Sequence, residues 1–559
     1  MNILGISCYY HDAACCIVKD GVLVAAVQEE RLNRIKNSSD FPVKAINYCI
    51  QQANISFNQI DYVAFYEKPF LKFSRVIFDH INAFPFSYLN FLYNIPLWLQ
   101  DRLVLPLVLK RELGYNGKTI FVKHHMAHAS STFLVSPFDE AAIITVDGVG
   151  EYATASVGFG RNNNIEIRKE IHYPHSLGLL YSAITGFLGF KINSGEGTTM
   201  ALASYGNPVY IDEFNKLIKV NNDGSFKMNP KYFGFIKGKT MFSRKFVGLF
   251  GNPRKPGEDY SQKYRDIAAT LQYFVEEILI KIANNTYNET PSKNLCLAGG
   301  VFLNCVANQK IIDNTPFENI FIQPAAGDAG ASVGAALNLY NCILGNQRKY
   351  VMKHAYLGPE YPNEQLKRIV INNNLKYTEY NDEELLRVTA QHIHENKIMG
   401  WFQGKLEFGP RALGNRSILA NATNPQMVDI LNKRIKNREW FRPFAPIVPE
   451  EYANEYFEMT VMSPFMLLAP KVKQITKDKL PAITHVDDTA RVQTVNKESN
   501  QRLHALLLAY QKISGIPVII NTSFNLKAEP IVCSPQEAID DFLKCEMDYL
   551  VLGNYLIEK

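Results

Sequence analysis

Three histidines fall within five positions of "VKHHMAHASS", Val122 to Ser131. On a helix, His124 and His128 lie at i and i+4, so both imidazoles project from one face and can share a cation. Spacing alone does not decide, because a helix-face histidine pair is more often structural or solvated. Two carboxylates sharpen the reading. Asp147 in "TVDGVG" and Asp328 in "GDAGAS" each end a strand or loop flanked by glycine, where a carboxylate can approach a ligand without crowding. Two histidines and two aspartates suit Fe²⁺, Mn²⁺ or Zn²⁺, with positions left open for substrate oxygens.

A second chemistry is written in glycine. The turns at Gly148/Gly150 and Gly299/Gly300 would let backbone N–H groups reach phosphates, and a helix following Gly300 would point its positive end there. A single Gly-Gly before a helix is more often a cap or a packing device. Further on, "GWFQGKLEFGPRALGNRS" supplies Lys405, Arg411 and Arg416, and "NKRIKNREWFRPFAP" adds Lys433, Arg434, Lys436, Arg438 and Arg442. "HVDDTARVQTV" carries Arg491 on an expected strand, and "GIPVIINTSFNLKAEPIV" puts Asn521, Thr522 and Ser523 in a turn after a buried strand. Guanidinium forks with amide and hydroxyl donors suit a phosphate beside a planar acyl group. Solvated basic faces are the plainer alternative.

These residues need a frame. "NILGIS" reads as a strand, a polar turn follows, and "ACCIVKDGVLVAAVQEER" reads as two strands joined by a hairpin at Asp20-Gly21. A helix is expected after Phe41 through Gln52, a buried strand at "IDYVAFY", and a strand over Thr119–Val122 that feeds the histidine helix. The strand–turn–strand around Asp147 resembles the one around Asp12, as an internal duplication would produce. Together with the glycine loops it outlines the nucleotide cleft of the actin/sugar-kinase/Hsp70 superfamily, which binds ATP between two ribonuclease-H-like halves. After Leu344 the texture turns polar and turn-rich, which places a boundary near residue 350 and gives domains 1–350 and 351–559.

The whole chain sets further limits. Its 559 residues exceed one core, and 47% hydrophobic with 20% charged residues is a globular composition. A net charge of +5, without Lys/Arg blocks, predicts no nucleic-acid partner. Nine cysteines without a C-x-x-C pair suit a reduced interior, and "MNILGIS" has no leader features, so a cytoplasmic location is expected. The stretch Ile81 to Gln100 is uncharged over about the length of a bilayer span, yet its Asn, Pro and Ser residues would be costly in lipid. A buried or substrate-facing helical insertion is expected there, with no membrane partner.

The motifs "HDAA", "EERLNRIK", "HHMAHA", "VDGVGE", "GEGTTMALASYG", "AGGVFLNCVAN", "GDAGASVGAAL", "EFGPRALGNRSILA", "REWFRPFAP", "DDTARVQTV" and "NTSFN" run through nearly the whole chain. In them the sequence resembles the NodU/CmcH-type O-carbamoyltransferase family, to which the tobramycin, cephamycin and ansamycin carbamoyltransferases belong. The resemblance implies an α/β protein. Its N-terminal domain would be actin-like (ASKHA, duplicated ribonuclease-H-like), binding metal and ATP, and its C-terminal domain YrdC-like α/β.

The C-terminal domain would join carbamoyl phosphate to ATP, giving carbamoyl-adenylate and pyrophosphate. The N-terminal one would pass the carbamoyl group to a hydroxyl of a small-molecule acceptor, a sugar or natural product. By this resemblance His124, His128, Asp147 and Asp328 are metal ligands, for Fe²⁺ first, with Mn²⁺, Zn²⁺ or Mg²⁺ as alternatives. Lys36, Gly148, Gly150, Gly299, Gly300 and Asn304 line the nucleotide cleft, and Arg411, Lys436, Arg491, Asn521 and Ser523 cradle carbamoyl phosphate.

His11 is placed to accept the acceptor hydroxyl's proton and Asp12 to orient it or the metal. A homodimer is compatible with this picture. One departure concerns the acceptor side: Glu196-Gly197-Thr198 stands where a basic residue is expected. Rival readings are a transferase of the tRNA threonylcarbamoylation type, which the basic C-terminal domain argues against, and a non-catalytic ATP-binding protein of the same fold. A sugar kinase would need neither the histidine pair nor the second arginine cluster.

Overall fold

The computed structural model describes residues 1–85, 87–235, 240–290 and 292–559. Runs of apolar residues buried on both faces form the first strands, Asn2–Ser7 (β1), Ala14–Lys19 (β2) and Val22–Gln28 (β3). With Tyr62–Phe65 (β4) and Lys118–Phe121 (β5) they make a five-stranded sheet ordered β3-β2-β1-β4-β5. The first three strands run antiparallel, and β1, β4 and β5 run parallel.

The same plan recurs. Glu140–Val146 (β6), Ala153–Arg161 (β7) and Asn164–His172 (β8) form an antiparallel meander. After a small hairpin of Ile218–Val220 (β9) and Phe226–Met228 (β10), the strands Asn294–Ala298 (β11) and Asn319–Ile322 (β12) add in parallel to β6. The order β12-β11-β6-β7-β8 repeats the first sheet strand for strand. The N-terminal domain is therefore a duplicated ribonuclease-H-like, actin-like fold.

Each fifth strand is followed by a helix that occupies the same place in its half: His124–Phe133 after β5 and Asp328–Leu337 after β12. Every residue of Asp328–Leu337 is buried, and its sequence "DAGASVGAAL" is dominated by small side chains. They let other backbones come close. A Cβ on Gly334 would lie 1.8 Å from the carbonyl oxygen of Ala127, in the middle of the histidine helix, and one on Gly5 of β1 would lie 2.2 Å from the carbonyl of Ser332.

Contacts divide the chain into two units, Met1–Glu29 with Asn37–Met352, and Glu30–Lys36 with Lys353–Lys559. The second is α/β. Its strands are Lys376–Glu379 (β13), Met399–Phe402 (β14), Arg416–Asn421 (β15), Ala445–Pro449 (β16), Gln493–Val495 (β17), Ile519–Ser523 (β18), Tyr549–Leu552 (β19) and Tyr555–Glu558 (β20). They form a mixed sheet ordered β13-β20-β19-β14-β15-β18-β16-β17. Successive residues Ile418/Leu419, Ile520/Ile519 and Leu550/Val551 fall in opposite apolar clusters, so both faces of the sheet are covered. The seven residues Glu30–Lys36 are tied into this unit by Arg31, which donates to the Gly409 carbonyl at 2.9 Å, and by Arg34, which donates to the Pro530 and Ile531 carbonyls.

The aromatic segment departs from expectation. Ile81 to Gln100 is helical over Tyr88–Leu97 and buries Trp98, but Ile81, Phe84, Tyr88, Leu92, Tyr93 and Leu99 are exposed, and Phe86 lies outside the described residues. The run is too rich in large apolar groups for one short helix to turn them all inward, so of the two alternatives expected, a buried or a substrate-facing helical insertion, the buried one does not hold. Among the described residues no helix is long and apolar enough to cross a membrane.

Gly334→Ala should force the two helices apart. The expected loss is more than about 2 kcal/mol of stability, read as a lowered midpoint in chemical unfolding of the full chain.

Candidate functional site

The histidine helix turns two imidazoles into one buried space. His128 Nε2 and His124 Nε2 face each other at 3.1 Å, and His124 Nε2 lies 3.1 Å from Asp147 Oδ2. Asp328 Oδ1 is 3.6 Å from both ring nitrogens. One donor atom from each of the four residues falls within 4.8 Å of the others, and all four residues are buried.

The third histidine is different. His125 points to the sheet, where Nδ1 meets Thr145 Oγ1 at 2.6 Å, and burial followed by the neighbouring imidazoles pushes its pKa well down. A neutral ring sharing protons with a threonine is a packing element.

Burial opposes charge throughout the cluster. It would lower His128, but hydrogen bonds that its ring donates to Asp147 and Asp328 hold it up at about 9; burial would raise Asp147, but His124 and His128 hold it well below the usual carboxylate range. Without a cation, protons must offset two buried carboxylates that face two imidazoles. The donor set itself, two nitrogens and two oxygens converging from a helix face and two turns, fits a divalent transition metal.

The surrounding glycines act on this cluster directly. Gly300 N–H donates to Asp147 Oδ1 at 2.9 Å, and a Cβ on Gly150 would lie 2.9 Å from the His124 ring. Gly299 takes φ +101°, where an added Cβ would strike the Val146 carbonyl at 2.2 Å. Gly148 is open, with nothing within 4 Å of a built Cβ. Asn304 caps the helix Cys305–Asn314 by accepting the Ala307 N–H, and it exchanges two amide hydrogen bonds with Gln272. Lys36 is exposed on the stretch that packs with the second unit.

His11 Nδ1 is 3.0 Å from Asp12 Oδ2, and Asn37 Nδ2 donates to Asp12 Oδ1 at 2.9 Å. Burial would lower His11, yet the Asp12 hydrogen bond, then Asp328, raise it to about 9. Glu196, where a basic residue was expected, accepts from Ser182 Oγ and the Asn193 N–H.

The second unit gathers like charges around one buried lysine. Lys436, 5% exposed, donates to the Ser523 carbonyl and, at 3.0 Å, to the Asn525 carbonyl. Burial first, then the charges of Arg438 and Arg442, press its pKa well down. Arg438 is lowered by burial, then by Arg442 and Arg491, and Arg442 by burial and Arg491, although Glu439 opposes the shift. Arg491 also helps burial hold His485 down at about 4, against Asp487. Lys436, Arg438 and Arg442 thus each have their pKa lowered by neighbouring cations, a setting that suits an anion.

Asn521 is 1% exposed and donates to Gln493 Oε1 at 2.6 Å and to the Ala412 carbonyl at 3.2 Å, next in the chain to Arg411. The loop carrying Arg411 is organised by Glu407, whose Oε1 accepts the N–H groups of Leu413 and Asn415 at 2.8 Å and of Arg416 at 3.2 Å. Arg416 leaves the candidate basic cluster. Fully buried, it stacks over Phe402 at 3.7 Å and donates to the carbonyls of Gln403, Asn415 and Pro359.

The family model described as "Carbamoyltransferase N-terminus" matches residues 2–337, and "Carbamoyltransferase C-terminus" matches residues 390–559. The chain belongs to the carbamoyltransferase family. A relative in Synechocystis, "Uncharacterized protein sll1178", is 45% identical, with 100% of this chain and 97% of that protein covered. "Nodulation protein NolNO" of Sinorhizobium fredii is 36% identical over 99% of this chain and 79% of its own length. Among solved structures, full-length HypF in its phosphate- and nucleotide-bound form covers 62% of this chain and 56% of its own at 16% identity and a TM-score of 0.32, a likeness too slight to bear on function.

Several parts of this carbamoyltransferase carry no sequence signal. Glu151 accepts the His124 N–H at 3.0 Å and the Lys68 N–H at 2.8 Å, so a carboxylate from the Asp147 turn caps the histidine helix, which lacks a side-chain cap of its own. Nothing in "VDGVGE" marks its last residue for that task. Arg438 and Arg442 stand in a basic run whose exposed members, Lys433 and Arg434, look the same on paper. Gly150→Ala should displace the His124 ring and weaken divalent-metal binding by about 10–100-fold, the scale of damage to a ligand's supporting shell. Gly148→Ala should leave it within a factor of two or so, and metal titration of the two variants side by side is the measurement.

Proposed function

We propose that this transferase is an ATP-dependent O-carbamoyltransferase acting on a hydroxyl of a small-molecule acceptor. The observation that carries the reading is the cluster of Lys436, Arg438, Arg442 and Arg491, in which neighbouring cations press down the pKa of Lys436, Arg438 and Arg442, a setting that suits an anion. Carbamoyl phosphate is a compact dianion with a planar acyl end. Guanidinium forks suit its phosphate, the Arg411 loop suits the carbamoyl oxygen, and Asn521, whose amide hydrogens are taken by Gln493 and Ala412, offers Oδ1 as an acceptor to the carbamoyl NH2.

Atom balance extends the first step. A carbamoyl-adenylate carries its carbamoyl group on Pα through one bridging oxygen, so carbamoyl phosphate takes up water and releases phosphate. The resulting carbamate oxygen attacks Pα of ATP and pyrophosphate leaves. The cations hold the dianion and the charge that develops on the leaving phosphate. In the second step the acceptor oxygen attacks the carbamoyl carbon, AMP leaves, and the hydroxyl proton passes to a base.

His124, His128, Asp147 and Asp328 would hold the divalent ion, which supplies Lewis-acid polarisation of a carbonyl and offsets adenylate charge. The turns at Gly148 and Gly299-Gly300 bring backbone close to the same cluster and suit a nucleotide there. His11 is held by Asp12 at Nδ1, which leaves Nε2 to face the acceptor. In its neutral form His11 would take the acceptor hydroxyl's proton at that nitrogen.

Exchange of labelled pyrophosphate into ATP should depend on carbamoyl phosphate, and its absence in metal-loaded protein would remove the reading. Arg491→Ala and Arg411→Ala should each lower that exchange by about 100-fold or more. His124→Ala should keep it while abolishing transfer, detected by mass spectrometry as loss of the carbamoylated acceptor.

A further inference from the structure

A surface cavity of about 200 Å³ opens on the second unit beside the helix Pro535–Lys544. Glu529, Glu537, Asp540 and Asp541 line it against Arg34 and Lys544, so four carboxylates meet two cations. Two of the carboxylates are already engaged. Glu537 accepts the Cys533 N–H at 2.7 Å and lies 3.3 Å from Arg34, and Asp540 accepts from the Gln536 amide at 2.8 Å.

Asp541 is not. It is 2% exposed, on the buried face of its helix with Ala538 and Phe542, and among the described residues its Oδ2 has no hydrogen-bond partner. It shares the cavity with the carboxyl of Glu529, whose charge acts on it. Two ionised carboxylates cannot donate to each other, so the pair needs either a shared proton or a bound cation.

We propose that Glu529 and Asp541 hold a hard divalent cation of the Mg²⁺, Mn²⁺ or Ca²⁺ class, with water in the cavity completing its coordination. Oxygen-only ligands, two carboxylates and room for several waters are what such ions take. The surplus of two negative charges on the lining matches the ion's charge. Two carboxylates lining one small cavity fit two ligands on one ion better than the sides of a pocket for an organic amine.

The site has a route to the anion pocket. Asn525 Nδ2 donates to the Glu529 carbonyl at 2.9 Å, while Asn525 Oδ1 accepts from Ser523 Oγ at 2.6 Å and Lys436 Nζ at 3.3 Å. An ion on Glu529 therefore steadies the loop that carries Ser523. That role rests on the carbamoyl-phosphate reading above; the binding itself does not. Protons compete for the same place, since burial and then Glu529 push Asp541 up to about 7. Lower pH favours the protonated pair, so affinity falls as pH drops below neutrality.

The test is Mn²⁺ titration of the full chain followed by electron paramagnetic resonance, with no ATP or carbamoyl phosphate present. In a His124→Ala/His128→Ala protein about one Mn²⁺ per chain should remain, displaced by excess Mg²⁺ or Ca²⁺ and bound about tenfold more weakly at pH 6 than at pH 8. Adding Asp541→Asn should weaken it at least about tenfold. Should the double variant not fold, Asp541→Asn in the otherwise unaltered chain should cost one bound Mn²⁺ and abolish the rise in melting temperature that Mn²⁺ causes. No residual Mn²⁺, Mn²⁺ binding indifferent to Asp541→Asn, or putrescine taking the site in its place would overturn the proposal. Failure of the pyrophosphate exchange would leave this Mn²⁺ count unchanged, so the two readings fall separately.

Discussion

The close crossing of two helices at Gly334 is the constraint on which the first unit's chemistry depends. Each helix belongs to one copy of a repeated half, and each alone contributes an incomplete set: two imidazoles from His124–Phe133, one carboxylate from the start of Asp328–Leu337. Only when the Ala127 carbonyl sits where any side chain at 334 would be do these groups share a space with Asp147. Close-packed interiors tolerate such a contact only between backbones, which is why the second helix is built of Ala, Gly and Ser.

The two candidate sites pose opposite electrostatic problems. In the first unit buried carboxylates face buried imidazoles, and each holds the other's charge against the pull of burial; in the second, partly exposed guanidinium groups gather about the buried Lys436. Helix and strand ends hold the groups in place: Glu151 caps the histidine helix, Gly300 N–H fixes Asp147, and Glu407 binds three backbone N–H groups of the Arg411 loop.

Legibility followed the range of the interaction. The meander "NILGIS…ACCIVKDGVLVAAVQ" and the histidine helix were readable because strand alternation, the Asp-Gly turn and i/i+4 spacing act between near neighbours. The duplication was readable because a repeated order of elements leaves a repeated order of motifs. The i/i+4 spacing also set His124 and His128 apart from His125, which meets Thr145 on the other side. What absorbs Arg416, a basic residue five positions after Arg411, was not readable, because the carbonyls of Gln403 and Pro359 lie far from it in the chain.

What the sequence by itself determined is the family, the repeated α/β plan and the stretches where chemistry is concentrated, since composition, turn chemistry and periodicity are properties of neighbouring residues. Which charged groups came together was decided by the tertiary structure alone. Arg438 and Arg442 gather with Lys436 and Arg491, Asp541 faces Glu529, and the aromatic run at 81–100 stays largely outside. Desolvation and Coulomb energy depend on distances through space, and residues far apart in the chain acquire those distances only when it has folded.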